Sequence, residues 1–118
     1  MFDGQSSNLI VPLTMCSAVI EIDQYNPDWQ LTQPSGADTT ATRAFKTRVL
    51  FEIPFANVPM VHVGLSGFDI DNCDTARLSV RAAQISATGF DLHIITWRNT
   101  RVYKVEISWI ALGHQTSQ

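Results

Sequence analysis

Gly89-Phe90-Asp91-Leu92-His93-Ile94-Ile95-Thr96-Trp97-Arg98-Asn99-Thr100-Arg101-Val102-Tyr103 is the stretch that decides the fold. Phe90, Leu92 and Ile94 alternate with Asp91 and His93, the period-two pattern of a strand with one face inside. Arg98-Asn99-Thr100-Arg101 then supplies a short connection, with Asn99 suited to a left-handed turn position. A second alternating run follows, so the stretch reads strand, turn, strand. Trp97, Arg98, Asn99 and Tyr103 gather around that one connection. An aromatic platform beside a guanidinium and an amide suits recognition of a polar ring such as a sugar. The plainer reading of Trp97 is edge-strand packing, and of Arg98 a solvated turn residue.

Working outward, the same periodicity recurs on both sides. Phe45, Thr47, Val49, Phe51 and Ile53 share one face, with Lys46, Arg48 and Glu52 on the other, and Pro54 closes the run. Val61, Val63 and Leu65 follow Pro59, and Leu78, Val80 and Ala82 alternate with Arg77, Ser79 and Arg81. The last run sets Tyr103, Val105, Ile107, Trp109 and Ala111 against Lys104, Glu106 and Ser108, and a first strand spans Met15 to Ile22. Ala87-Thr88-Gly89 makes a short loop with glycine where a positive φ is needed. Six strands with short turns, and no competing helical window, predict an all-β, six-stranded antiparallel sandwich.

The 118 residues are expected to form one domain spanning 1–118, with 1–13 a loosely packed N-terminal segment. At a net charge of −3 with dispersed basic residues, the chain shows no electrostatic footprint for nucleic acid. Leu9 to Leu13 is too short to cross a bilayer and contains Pro12, so no membrane insertion is expected. No Lys or Arg precedes it, so a secretory leader is not recognisable and the compartment stays open. Cys16 and Cys73 are too few for a disulfide scaffold, and Cys16 is read as a small buried hydrophobe.

Asp23 to Thr42, with Pro27, Pro34 and Gly36, reads as a long irregular connection, which is uncommon in compact domains unless it has a task. Gly36 to Thr40 is therefore the second place to look for a site. Asp69, Asp71, Asn72 and Asp74 alternate as calcium ligands do, yet the glycine and distal glutamate of such a loop are missing, so a solvated turn is expected and no metal or cofactor. His62 and His93 lie on different strands with no nucleophile or carboxylate beside them, and no catalytic pair is legible. Arg77 and Arg81 share a strand face, with Asp91 across the hairpin as a neighbour; Arg77, at the strand's start, is the better candidate for a site.

Taken together, Phe51-x-x-Pro54-Phe55, Pro59-x-Val61, Gly67-Phe68-Asp69, Arg77-Leu78-x-Val80, Thr88-Gly89-Phe90, Thr96-Trp97-x-Asn99-Thr100-x-Val102-Tyr103 and Ile107-Ser108-Trp109-Ile110 resemble the H-type lectin family. The resemblance covers about residues 43–112 closely. It implies a non-enzymatic carbohydrate-binding protein that assembles as a homotrimer, or in higher multiples. Glycans ending in N-acetylgalactosamine or galactose would bind without a metal at junctions between protomers. Gly36-Ala37-Asp38 and Arg77 match the residues that grip vicinal hydroxyls, and Trp97 and Tyr103 match aromatic walls supplied by the neighbouring protomer. Arg98 stands where snail lectins of the family carry His, a change that bears on the sugar read, including an acidic one. Ala56 and Ile94 stand where those proteins carry a cysteine pair. The resemblance also points to a secreted or surface-associated protein, while the missing cysteine pair and export signal leave an intracellular or non-classically exported one open. The alternative is a trimeric structural or assembly module with its junction pocket closed and no sugar bound.

Overall fold

The computed structural model describes residues 13–33, 41–71 and 75–115. Six strands appear in chain order: β1 (Leu13–Asp23), β2 (Thr42–Leu50), β3 (Met60–Ile70), β4 (Ser79–Ala83), β5 (Gly89–Trp97) and β6 (Val102–His114). They form two three-stranded sheets, β1-β6-β3 and β2-β5-β4, in which every neighbouring pair is antiparallel. The two sheets enclose one core, as a sandwich must when each has a single apolar face. Leu13 already belongs to β1, so the expected loose segment is shortened by a residue, and the rest of it lies outside the described residues.

Alternation decides what goes inside. On β5, Phe90, Leu92 and Ile94 are fully buried, while on β6 Val105, Ile107 and Ala111 are. Burial of each large apolar side chain contributes roughly 1.5–3 kcal/mol. Phe51, Phe55, Phe90 and Trp109 interlock as an aromatic cluster, with the Phe51 and Phe55 rings edge to face at 5.1 Å and Phe90 and Trp109 at 5.4 Å.

Four local expectations are corrected. The β2 alternation stops at Leu50, and Ile53 is 74% exposed because the chain has left the sheet before Pro54. The register between β3 and β6 slips between the pairs Asp69–Lys104 and Ile70–Val102, leaving Tyr103 as the extra residue of a bulge. Val102 therefore takes the buried place and Tyr103 is only half-buried. Gly89 is required by close approach and not by a positive φ, since a Cβ there would lie 2.2 Å from the Val49 carbonyl oxygen. The left-handed residue of the loop before it is Gln84, with φ 48°. Asp91 pairs with Arg48 at 3.0 Å and not with Arg81, the arginine of β4, which stands opposite His93.

Candidate functional site

Three connections meet at one end of the sandwich: the segment after β1, the segment between β3 and β4, and the turn between β5 and β6. Each contributes residues that lie far apart in the chain. Trp97 ends β5 opposite Thr42, on the outer face of its sheet, because Thr96 beside it points inward and is fully buried. Arg77 precedes β4 by two residues, before its pairing with β5 begins at Ser79 and Ile95. That puts it at the end of the molecule where Trp97 closes β5, just before the edge strand of the β2-β5-β4 sheet.

Side chains from within the core hold these connections in place. The Thr96 hydroxyl donates to the Arg77 carbonyl. The Arg77 backbone N–H donates to the Thr100 hydroxyl at 3.1 Å, and that hydroxyl donates to the Thr75 carbonyl at 3.0 Å. The Arg77 guanidinium also reaches the Thr75 carbonyl, at 3.1 Å. The β3–β4 segment is thereby fastened to the β5–β6 turn at both of its ends, since the Asp71 N–H donates to the Arg101 carbonyl at 3.0 Å.

Arg43 performs the same task for the first connection, and the sequence reading overlooked it. Only 5% exposed, it donates from one terminal nitrogen to the Leu31 and Gln33 carbonyls at 3.2 and 3.0 Å. The other terminal nitrogen donates to the Arg98 and Thr100 carbonyls at 2.9 and 2.8 Å. Burial, and after it the nearby Arg101 cation, pull its pKa down, yet an arginine remains charged at neutral pH. Four carbonyl dipoles surround it in place of a carboxylate. Trp29 and Leu31, buried in the same connection, add an indole N–H bond to the Val102 carbonyl at 2.9 Å and a Leu31 carbonyl bond from the Val102 N–H at 2.8 Å. The long connection is thus anchored up to Gln33 and again at Arg43. Gly36 and Asp38, between those anchors, lie outside the described residues, as do Asn72, Cys73 and Asp74.

The turn itself is strained. Arg98, not Asn99, adopts the left-handed conformation, at φ 59°. A side chain bearing a Cβ is disfavoured there by about 1–2 kcal/mol, and the bond from Arg43 to its carbonyl helps to hold it. Arg98 is exposed, Trp97 and Tyr103 are half-buried, and Tyr103 accepts the Gln24 N–H at its carbonyl at 2.9 Å. Behind the turn, Gln24, Trp29, Gln30, Thr32, Gln33 and Arg43 line a polar cleft of about 500 Å³. Amides and hydroxyls, which both donate and accept, suit an uncharged polyhydroxylated ligand.

The domain as a whole is similar to known proteins. The H-type lectin domain matches residues 46–112. The chain belongs to the H-type lectin domain family. Discoidin-2 of Dictyostelium discoideum is 32% identical over 94 residues, covering 74% of this chain and 36% of that protein. A protein from Fuscovulum blasticum described as ATP synthase subunits region ORF 7 is 37% identical over 71 residues, covering 60% of this chain and 62% of its own length. The structure of recombinant discoidin II superposes with a TM-score of 0.71 at 26% identity, over 88% of this chain and 38% of that one. The chain therefore spans less than two thirds of the length of each of these relatives.

Of the expected site residues, Arg77, Trp97, Arg98 and Tyr103 are gathered at one end. Among the described residues no group of three or more His, Cys, Asp or Glu side chains could hold a metal ion. Cys16 is a free, half-buried thiol packed against the core, and burial pushes its pKa up.

Proposed function

We propose that this H-type lectin domain binds sugars of the N-acetylgalactosamine or galactose type at junctions between the protomers of a homotrimer. Gly36, Asp38 and Arg77 of one protomer grip adjacent hydroxyls by charge-assisted bonds, and Trp97, Arg98 and Tyr103 of the next wall the remaining face. The observation that carries this reading is that Arg77, Trp97 and Arg98 all lie at the loop end of the sandwich, where buried polar side chains hold the connections to one another. That end is open to a neighbouring protomer. Preorganised donors of this kind favour binding, and the family and the fold point to recognition and not to catalysis.

The outer face of the β1-β6-β3 sheet supports assembly. Leu13, Met15, Val19, Met60 and Ile110 occupy outward positions there and are exposed, from 36% for Ile110 to 67% for Met60. A contiguous apolar face of this kind is unusual on a lone domain and is accounted for by a second copy. Three sites on one trimer raise the avidity for clustered glycans, offsetting weak single-site affinity.

Isothermal titration of N-acetylgalactosamine and galactose, with light scattering to give the oligomeric size, tests the reading. Binding by a trimer that is abolished by Asp38→Ala and by Arg77→Ala supports it. A stable trimer that ignores both sugars replaces it with the structural module.

A further inference from the structure

The basic residues are scattered along the sequence, but the fold collects them. Lys46, His93 and Arg81 stand directly opposite one another across β2, β5 and β4, on the outer face of that sheet. Adjacent strands lie about 4.8 Å apart, so the three form a row roughly 10 Å wide. Among the described residues no carboxylate lies within ion-pair distance of Lys46 or Arg81; Asp91, one row away, is engaged by Arg48 at 3.0 Å. Among the described residues Lys46, Arg48 and Arg81 thus share one sheet face with a single carboxylate, in a chain whose net charge is −3.

The two cations are separated by the His93 strand, so they stand apart as two anchoring points. The Lys46 and Arg81 charges, uncompensated among the described residues, make a surface suited to an anion. Its position says which one. Trp97 lies four residues beyond His93 on the same strand and the same face, so the row begins roughly 13 Å from the indole. An extended oligosaccharide covers that distance.

We propose that the outer face of the β2-β5-β4 sheet docks sulfate or carboxylate groups carried by the same glycan whose neutral sugar occupies the loop end. The inference rests on the lectin reading above and names the class of glycan: galactose-type chains bearing acidic substituents. On that reading a neighbouring protomer meets this sheet at its loop end, and assembly through the opposite sheet leaves Lys46, His93 and Arg81 facing solvent. The anion sites are the Lys46 ammonium and the Arg81 guanidinium, with His93 between them as a further donor. Arg48 is excluded, because Asp91, the Gln84 carbonyl and the Ser86 hydroxyl already take its donors.

The test compares a neutral galactose oligosaccharide with its sulfated counterpart, on the wild type and on the double variant Lys46→Thr, Arg81→Ser. Sulfation is expected to tighten binding by about tenfold in the wild type at low salt, with the advantage screened away at about 0.5 M salt. The double variant is expected to lose that advantage while keeping its affinity for the neutral chain. It should melt close to wild type, since both side chains are exposed and make no ion pair among the described residues. If both chains bind equally to the wild type, the inference fails while the lectin reading stands. An unchanged sulfate advantage in the double variant also overturns it, placing the charge reader elsewhere. If neither chain binds, the lectin reading itself fails and the inference falls with it.

Discussion

Replacing Arg43 with methionine removes four hydrogen bonds and one buried charge while nearly conserving volume. The four carbonyls respond differently. Leu31 retains the Val102 N–H at 2.8 Å and loses little. The Gln33 and Arg98 carbonyls lie in part-buried surroundings and recover water. The Thr100 carbonyl, on a residue only 3% exposed, is left without a donor. An orphaned buried acceptor costs about 1–3 kcal/mol, and charge-assisted bonds are worth about 1.5–3 kcal/mol each. Removing the buried charge returns part of this, because the guanidinium no longer has to leave water. The net expectation for Arg43→Met is a loss of about 3 kcal/mol.

With a urea slope of about 1.5 kcal/mol/M, that loss lowers the unfolding midpoint by about 2 M. Arg43→Lys, which keeps the charge but cannot span four carbonyls with one ammonium, should lose about half as much. Hydrogen exchange adds a local readout: the Val102 and Trp29 amides should lose protection in Arg43→Met before the amides of β5 do. A midpoint shift below about 0.5 M would refute the reasoning, because the guanidinium would then be replaceable by water at little cost. Full recovery in Arg43→Lys would refute the geometric part of it, leaving charge alone as the requirement.

Arg98→Gly should raise stability by about 0.5–1 kcal/mol, because relief of the left-handed backbone exceeds the added freedom of the unfolded glycine. The same variant should alter sugar selectivity, so urea unfolding and titration calorimetry are expected to move in opposite directions. Gly89→Ala forces a methyl against the Val49 carbonyl and should cost about 3 kcal/mol, read as a lowered urea midpoint. Cys16, in a Cys73→Ser background, should be alkylated more slowly than a model thiol until the pH exceeds the ordinary thiol range, since burial raises its pKa. The hydrogen bond and charge of Glu21, 2.9 Å away, raise the Lys104 pKa, so that pair stabilises the fold below the ordinary lysine pKa and ceases to do so as pH rises through the raised value. The difference in midpoint between wild type and Glu21→Gln should therefore be constant near neutrality and close at strongly alkaline pH.

The faces of the sheets were legible because alternation is local: each strand reports which of its residues point inward without reference to its neighbours. Leu78, Val80 and Ala82 against Ser79 and Arg81 illustrate this, and the structure keeps that division. What alternation cannot report is a slip between strands. The bulge at Tyr103 is set by the pairing of β6 with β3, and nothing within β6 announces it. The handedness at Arg98 and Gln84 escaped for a similar reason, since turn geometry is imposed by the strands on either side. Arg43 was different, because its signal was present. It falls two residues before Phe45 and thus in the inward register, and an arginine at an inward position is a prompt to ask which acceptors satisfy it.

That question also explains how the site forms. Among the described residues the buried polar side chains are Arg43, Thr96 and Thr100, and all three lie at the loop end. Each donates to a main-chain carbonyl of a connection: Arg43 to the first and the third, Thr96 and Thr100 to the second. The apolar core therefore ends in a polar layer whose hydrogen-bonding capacity is directed at loops. An apolar layer there would bury as much surface but would leave those carbonyls unsatisfied and the loops free to separate. Recognition of a small polar ligand needs groups from several connections held together before it arrives. The sandwich meets that need by extending its hydrogen-bonded interior outward by one layer, so the half-buried Arg77 and Trp97 and the exposed Arg98 lie on connections held by buried side chains.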